Sequence, residues 1–388
     1  MSPFSEVGRN AWRKALGGGF GGLLLAVVAG CTTIGDRLTG ARTIAEVAQA
    51  TADYYVQDAA DESCSVAIVT TAGTVYAHAG SADEHALFRI ASLSKLFLHP
   101  VLEKYDRTGR LDLDRPVTDV SKLSLPPEYR QVTLRDLLLN QSGLPREFIV
   151  WWEPVDMLKA FACAFLGGHI YADFDTREKF ARMTWRPWWR SALHRRRPQY
   201  SNVGFGLLGT AVEDARGESL EAILRAELVA PLGLSDTAYE PAGAQTNRLT
   251  RACAGHLPWL IRRQHDMPDH RLGDALRAAG GLFSSAADCA TVFQTYWPFI
   301  EASLQAHPLD TWKEGEMCGL LCVHVQPSGH RILYRSGMIW GGASFVGFDP
   351  ETRTIVVILR NVTSWPDKRG FNVCAQIREI LARKSRAP

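Results

Sequence analysis

Ser92 and Lys95 lie three residues apart in the run Phe88-Arg-Ile-Ala-Ser-Leu-Ser-Lys95. If this segment opens a helix, the spacing brings both side chains to one face, a turn apart. A serine hydroxyl is a weak nucleophile and needs a neighbouring base to take its proton. A lysine can be that base where burial or nearby cations lower its pKa. Only nine of the 43 basic residues are lysines, and this one has apolar flanks, with Phe88, Ile90 and Ala91 before it and Leu96, Phe97 and Leu98 after. A lysine is seldom placed in such a setting without a task.

The elements that must hold this pair come from the rest of the chain. Its 388 residues allow one large domain with an elaborated lobe, or two lobes sharing a cleft. Apolar alternation predicts strands at Ser65–Val69 and Thr74–Ala77 around a Thr71-Ala-Gly-Thr turn. Further strands are expected at Gly319–Gln326, Arg331–Arg335, Ala343–Asp349 and Thr354–Arg360. Helical spacing marks Ile44–Asp61, Ser92 to about Tyr105, Val132–Leu139 with a Thr133 cap, a segment opened by Tyr200-Ser-Asn202, Leu220–Val229, a stretch from Ala286, and Asn372–Lys384. Strands at both ends with helices between them predict an α+β fold, an α/β sandwich. An antiparallel sheet from the N- and C-terminal parts is flanked by helices, and a mostly helical lobe is inserted.

The formal net charge is +2, and Arg9, Arg13 and Lys14 against Glu6 account for it. A neutral body gives no case for nucleic acid as a partner. Those three cations precede an apolar, glycine-rich stretch, Ala15–Val28, which is shorter than a membrane span. It ends in Val28-Ala29-Gly30-Cys31, which looks like a bacterial lipobox. That resemblance implies a signal peptide over 1–30, lipidation of Cys31, a tether over 31–45 and a folded domain over 46–385. Thr32 follows the cysteine, so the expectation is a lipid anchor in the cell envelope, in an outer membrane facing the periplasm. The remaining seven cysteines show no repeating spacing, and no disulfide is assigned.

Residues 146–198 interleave Trp151, Trp152, Trp185, Trp188 and Trp189 with Arg186, Arg190, Arg195, Arg196 and Arg197. Such a run can serve a membrane surface or nucleic acid. The reading preferred here is a packed insert in the helical lobe, with tryptophans inside and arginines on its rim. His256, His265 and His270 near Asp266 and Asp269 fit no ligand spacing, so no metal or other cofactor is called for.

Several segments then resemble the serine β-lactamase and penicillin-binding protein superfamily, in its class C β-lactamase and esterase (family VIII-like) branch. They run in the family's order: Phe88 to Lys95, Leu111-Asp-Leu-Asp114, Val132 to Leu138, Ser142-Gly-Leu-Pro145, Tyr200-Ser-Asn202, Pro231-Leu-Gly-Leu234 and Gly280-Gly281. The Ser-x-x-Lys element is a named motif of that superfamily. The resemblance implies the family fold and three catalytic residues, Ser92 as nucleophile with Lys95 and Tyr200 managing its proton. A tyrosine has a pKa near 10 and acts as a base at neutral pH only where cations stabilise its phenolate. Asn202 would orient Lys95 and a substrate carbonyl.

The third family element, Lys-Thr-Gly or His-x-Gly, falls on Arg335-Ser336-Gly337-Met338. Arginine keeps the cation and can hold a carboxylate by two hydrogen bonds, but it cannot give up a proton. The backbone N–H groups of Ser92 and Met338 are expected to form the oxyanion hole, with Gly337 admitting the substrate closely. Asn361 loosely matches a family asparagine near a substrate carboxylate, and a strand-end turn is the alternative. The expected activity is a serine hydrolase acting through an acyl-enzyme on an amide, ester or β-lactam carbonyl of a small-molecule or peptide substrate. A D-peptidase or esterase suits Arg335 better than an efficient β-lactamase. The alternative is a penicillin- or cell-wall-peptide-binding lipoprotein that does not turn over.

Overall fold

A computed structural model describes residues 41–56, 61–146, 176–193, 199–253 and 272–386. Cys31, most of the Trp/Arg stretch, and His256, His265 and His270 lie outside the described residues. The main sheet has seven antiparallel strands in the order β2-β1-β9-β8-β7-β6-β5. These are β1 (Cys64–Thr70), β2 (Gly73–Ala79), β5 (Met317–Cys318), β6 (Leu321–Val325), β7 (Arg331–Ile339), β8 (Gly342–Asp349) and β9 (Thr354–Arg360). The first and last segments meet directly, with Cys64 opposite Arg360 and Val69 opposite Ile355. A two-stranded ribbon of β3 (Phe88–Arg89) and β4 (Phe283–Ser284) lies apart from the sheet. It is too short to show in the sequence pattern.

Strand alternation sorts the core into two layers. Cys64, Val66 and Ile68 of β1 and Val356 and Ile358 of β9 face α1 (Ile44–Tyr54) and the C-terminal helix, with Val47, Phe345, Val373 and Ile377. Ala67, Val69, Ile355, Val357 and Leu359 face the opposite way, into the larger core beneath the helical lobe. Both faces are covered, which is why these strands read as nearly continuous apolar runs.

The helical lobe holds α2 (Ser94–Arg107), α3 (Leu134–Leu138), α4 (Arg177–Thr184) and α5 (Asn202–Arg216). It is followed by α6 (Arg277–Gly280), α7 (Ala286–Gln294) and, after the last strand, α8 (Asp367–Arg386). Thr133 caps α3 through a reciprocal box with Asp136. In the described part of the Trp/Arg stretch, Trp189 is buried against Phe180. Arg190 Nε donates to Glu128 at 2.8 Å, and Arg177 pairs with Glu213 and Asp214. Trp185, by contrast, is about half exposed, its indole Nε1 donating to Ser124 O at 2.8 Å, so of these two tryptophans one is inside and one outside.

Three sequence-based boundaries move by four residues or more. The first helix stops at Tyr54 rather than Asp61, where Tyr55 turns its hydroxyl to Pro366 O beneath the Arg360 guanidinium. Strand β7 runs on to Ile339, four residues beyond its apolar run, because β8 pairs with it throughout. The last helix starts five residues early, at Asp367. Six described cysteines, Cys64, Cys253, Cys289, Cys318, Cys322 and Cys374, are free thiols.

Candidate active site

Ser92 does not sit in α2 itself. It occupies the 3-10 turn Ala91–Leu93, just ahead of α2. Ala91 has φ +47°, a left-handed conformation costly for a residue with a Cβ. The surroundings over-determine it. Ser94 Oγ donates to Ala91 O at 2.6 Å and accepts from Leu282 N at 3.1 Å. Ile90 N donates to Leu282 O, and Ser344 Oγ donates to Ile90 O at 2.7 Å. The turn presents Ser92 at a part-exposed position while α2 carries Lys95 into full burial.

Tyr200 is strapped in from both sides. Gln199 N donates to Asn140 O, Ser201 N to Asn140 Oδ1 and Asn202 N to Arg146 O. Ser201 caps α5 by accepting from Gly204 N, and its hydroxyl donates to Pro145 O. The 140–146 segment, which carries Ser142-Gly-Leu-Pro145, is therefore the bracket that aims the tyrosine.

These elements bring four side chains together. Ser92 Oγ and Tyr200 Oη are 2.5 Å apart. Lys95 Nζ donates to Tyr200 Oη and to Asn202 Oδ1, each at 2.8 Å, and lies 3.5 Å from Ser92 Oγ. Tyr200 Oη is also 2.8 Å from Asn202 Oδ1. Lys95 makes a further hydrogen bond to Ala279 O, the residue before Gly280-Gly281. Its ammonium stands 4.9 Å from the Tyr200 ring centroid.

Arg335 reaches the same tyrosine from β7. Its guanidinium stacks 4.2 Å from the ring centroid, and Arg146 lies 5.2 Å away. Burial pushes the Tyr200 phenol up, but Lys95 and Arg335 outweigh it with the hydrogen bonds from Lys95 and Ser92, so its pKa falls below the ordinary value. Arg335 is itself buried and donates to Leu320 O at 3.2 Å. Its Nε has no partner, and no carboxylate pairs with it among the described residues.

Gly337 is where β7 crosses the Ser92 turn. A Cβ built there would stand 2.7 Å from Ser92 N and 2.8 Å from Ile90 O and Ser344 Oγ. Only glycine lets the strand and the Ser92 turn come this close. Met338 follows, opposite Ala343. Ser336 points away from Tyr200, and its hydroxyl donates to Asp367 at 3.2 Å.

Asn361 requires a correction. Its Oδ1 accepts from Ser63 N, and its Nδ2 donates to Asp61 O and Arg251 O. The side chain is buried and both ends of the amide are used in tying loops to the end of β9. The strand-end alternative holds, and Asn361 has nothing left for a substrate. Sequence reasoning also missed Arg146, Ala279 and Asp367. Arg146 and Ala279 directly adjoin the Pro145 and Gly280 segments and were open to notice, whereas no pattern marks Asp367.

A beta-lactamase family model matches residues 43–372, most of the chain. The chain belongs to the beta-lactamase family. It is 28% identical over 239 residues to the D-alanyl-D-alanine-carboxypeptidase/endopeptidase AmpH of Escherichia coli, covering 58% of this chain and 53% of that protein. The chain thus spans about half the length of the curated relatives it matches. Among solved structures, the D-amino acid amidase of Ochrobactrum anthropi superposes with a TM-score of 0.64 at 20% identity, over 89% of this chain and 99% of that one. A class C beta lactamase of Rhodobacter sphaeroides gives 0.62 at 18% identity, over 85% and 99%. These likenesses establish the fold, a β-lactamase-like sheet with its helical lobe.

Proposed function

We propose that the protein is a serine hydrolase that forms an acyl-enzyme on Ser92. The observation that carries this reading is the 2.5 Å approach of Ser92 Oγ to Tyr200 Oη, with Lys95 Nζ 2.8 Å from that same phenol oxygen. The Lys95 and Arg335 cations beside it lower the phenol pKa, which suits Tyr200 to the role of base. It takes the Ser92 proton as Oγ attacks the carbonyl carbon, and the carbonyl oxygen becomes an oxyanion beside Ser92 N and β7. Tyr200 then passes the proton to the leaving nitrogen or oxygen as that bond breaks. Water, activated by the same group, releases the acid and frees Ser92.

Arg335 supports a substrate bearing a carboxylate on the leaving side. It is a buried cation with an unpartnered nitrogen, and such a charge is costly until an anion meets it. The curated relative is named for action on D-alanyl-D-alanine and a structural neighbour for D-amino acid amides. Both suit amides or esters of amino acids more than β-lactams as the substrate class. The test is labelling by a fluorophosphonate and a fluorescent penicillin, alongside hydrolysis of D-amino acid amides and short esters. Wild type should be labelled and turn over, and Ser92→Ala should do neither. Equal labelling of both proteins overturns the reading. Stable penicillin labelling without product release would instead indicate a binding protein.

A further inference from the structure

Pro100 lies in the interior of α2, five positions after Lys95. A proline has no N–H, so the carbonyl four residues earlier loses its helical donor. That carbonyl belongs to Leu96, the neighbour of Lys95, and Leu96 is fully buried. Water does not reach it, and a covered carbonyl left unmet is costly. Proline is also where helices bend, and here the weak point adjoins the turn that carries Lys95.

The donor comes from another element. Tyr296 Oη donates to Leu96 O at 2.7 Å. Tyr296 stands between α7 and the helix Trp297–Ala306 and is itself buried. Its ring is gripped by Phe293, Phe299 and Phe348, with centroids 6.4, 5.6 and 5.9 Å away, so the hydroxyl has one aim. Burial raises this phenol well above its ordinary pKa, so it keeps its proton and is a donor. His99 Nδ1 lies 3.2 Å from the same oxygen. Burial pushes the His99 pKa down to about 4, so the ring is neutral. Because the Tyr296 proton is committed to Leu96 O, His99 Nδ1 carries a hydrogen and donates to the phenol oxygen.

The first turn of α2 is thus held at both ends by hydroxyls. Ser94 Oγ fixes its start against Ala91 O and Leu282 N, and Tyr296 Oη fixes its end. Between them Lys95 reaches Tyr200 Oη and Asn202 Oδ1, each at 2.8 Å. We propose that Tyr296 is a positioning residue for Lys95, its hydroxyl standing in for the N–H that Pro100 lacks. The inference rests on the acyl-transfer reading above and adds to it a buried residue outside the four side chains of the site. Against burial, Lys95 and Arg335 hold the Tyr200 phenol below its ordinary value. A displaced Lys95 pulls less, and the pKa of Tyr200 then rises.

The test pairs Tyr296→Phe with Tyr296→Phe/Pro100→Ala in the intact protein. The first change removes only the hydroxyl. The second gives Leu96 O a backbone N–H in its place, and neutral His99 can carry its proton on Nε2 instead, towards Glu103 Oε1 3.7 Å away. A misplacement of about 1 Å costs about a hundredfold in rate, and a turn still held by Ser94 moves less, so Tyr296→Phe should lower kcat/KM about tenfold. The acidic limb of its kcat/KM–pH profile should move to higher pH. Adding Pro100→Ala should restore both rate and limb. A loss of packing alone would leave the limb in place and would not be repaired at position 100. An unchanged rate and limb in Tyr296→Phe, or a loss that Pro100→Ala does not repair, overturns the proposal. Should Tyr296→Phe fail to fold alone, recovery of a folded, active enzyme on adding Pro100→Ala is the same rescue, and failure of both to fold overturns it. The ε-carbon resonance of Lys95, identified among the nine lysines by its absence in Lys95→Arg, separates this inference from the one beneath it. A resonance that shifts with Tyr296→Phe and returns with Pro100→Ala, in a protein that hydrolyses nothing, removes the hydrolase and leaves the positioning. An unmoved resonance in an active enzyme does the reverse.

Discussion

Replacing Gly337 by alanine tests the closeness of β7 and the Ser92 turn most directly. The added methyl carbon would stand 2.7 Å from Ser92 N, where ordinary contact begins at 3.4 Å. The strand and turn must therefore part by about 0.7 Å, close to the misplacement that costs about a hundredfold in rate. The neighbours are two backbone atoms and a Ser344 hydroxyl already bonded to Ile90 O, so none of them yields by a rotamer change. Losing one oxyanion donor alone costs about a hundred- to a thousandfold. Gly337→Ala should thus lower kcat/KM by about two orders of magnitude and stability by about 1–3 kcal/mol, as overpacking does. The control is Gly347→Ala. Its Cβ would meet Cys374 Sγ at 2.9 Å and the Phe345 ring, within the layer beneath α8. That variant should lose similar stability with a much smaller loss of rate. Ester hydrolysis and fluorophosphonate labelling rates give the first quantity, and urea unfolding gives the second. A folded Gly337→Ala enzyme with wild-type kcat/KM would refute the argument that this approach builds the oxyanion site.

Tyr200→Phe removes the proposed base and should slow hydrolysis and Ser92 labelling by about 10²–10⁴-fold, and an unchanged labelling rate would exclude that role. Arg335→Leu takes one cation from Tyr200, whose pKa then rises, so the acidic limb of the kcat/KM–pH profile should move to higher pH, and an unmoved limb contradicts the assignment. Asp367 binds its proton more tightly folded than unfolded, so its contribution to stability is present below pH 4 and is lost as pH rises through about 6. Asp367→Asn should therefore unfold at higher urea than wild type at pH 7, by up to about 2 kcal/mol, and at similar urea at pH 4. If the lipobox reading is right, Cys31→Ser should abolish incorporation of labelled fatty acid in a bacterial host, and undiminished labelling refutes it.

The apolar runs of β1, β8 and β9 made the sheet legible, because burial on both faces leaves little room for polar residues. Thr133, Ser201 and Ser285 marked helix starts because each supplies the hydroxyl that the first turn needs. Ser92, Lys95, Tyr200 and Asn202 were legible through a motif spacing and the order of segments around it. The end of β7 was not, since Ser336, Gly337 and Met338 are strand residues by virtue of their partner and not of their own pattern. Asn361 misled because an asparagine near a strand end looks the same whether its amide serves a ligand or three backbone groups. Asp367 left no trace, as its setting is made by Ser336, 31 positions away, and by the burial that packing imposes.

The Ser92 turn also has a history during synthesis. Ser92 emerges in the first quarter of the chain, yet the groups that hold its left-handed neighbour come much later. Leu282 meets Ser94 across 188 positions, and Ser344 meets Ile90 across 254. The sheet likewise joins β1 to β9 only at the end. Closing such long loops is slow and comes late in folding. Until then Ala91 has no reason to adopt its strained conformation, and Ser92 is an ordinary serine. On the acyl-enzyme proposal, the Ser92 hydroxyl gains its setting only when the chain closes on itself, so the unfolded polypeptide should not react with a fluorophosphonate.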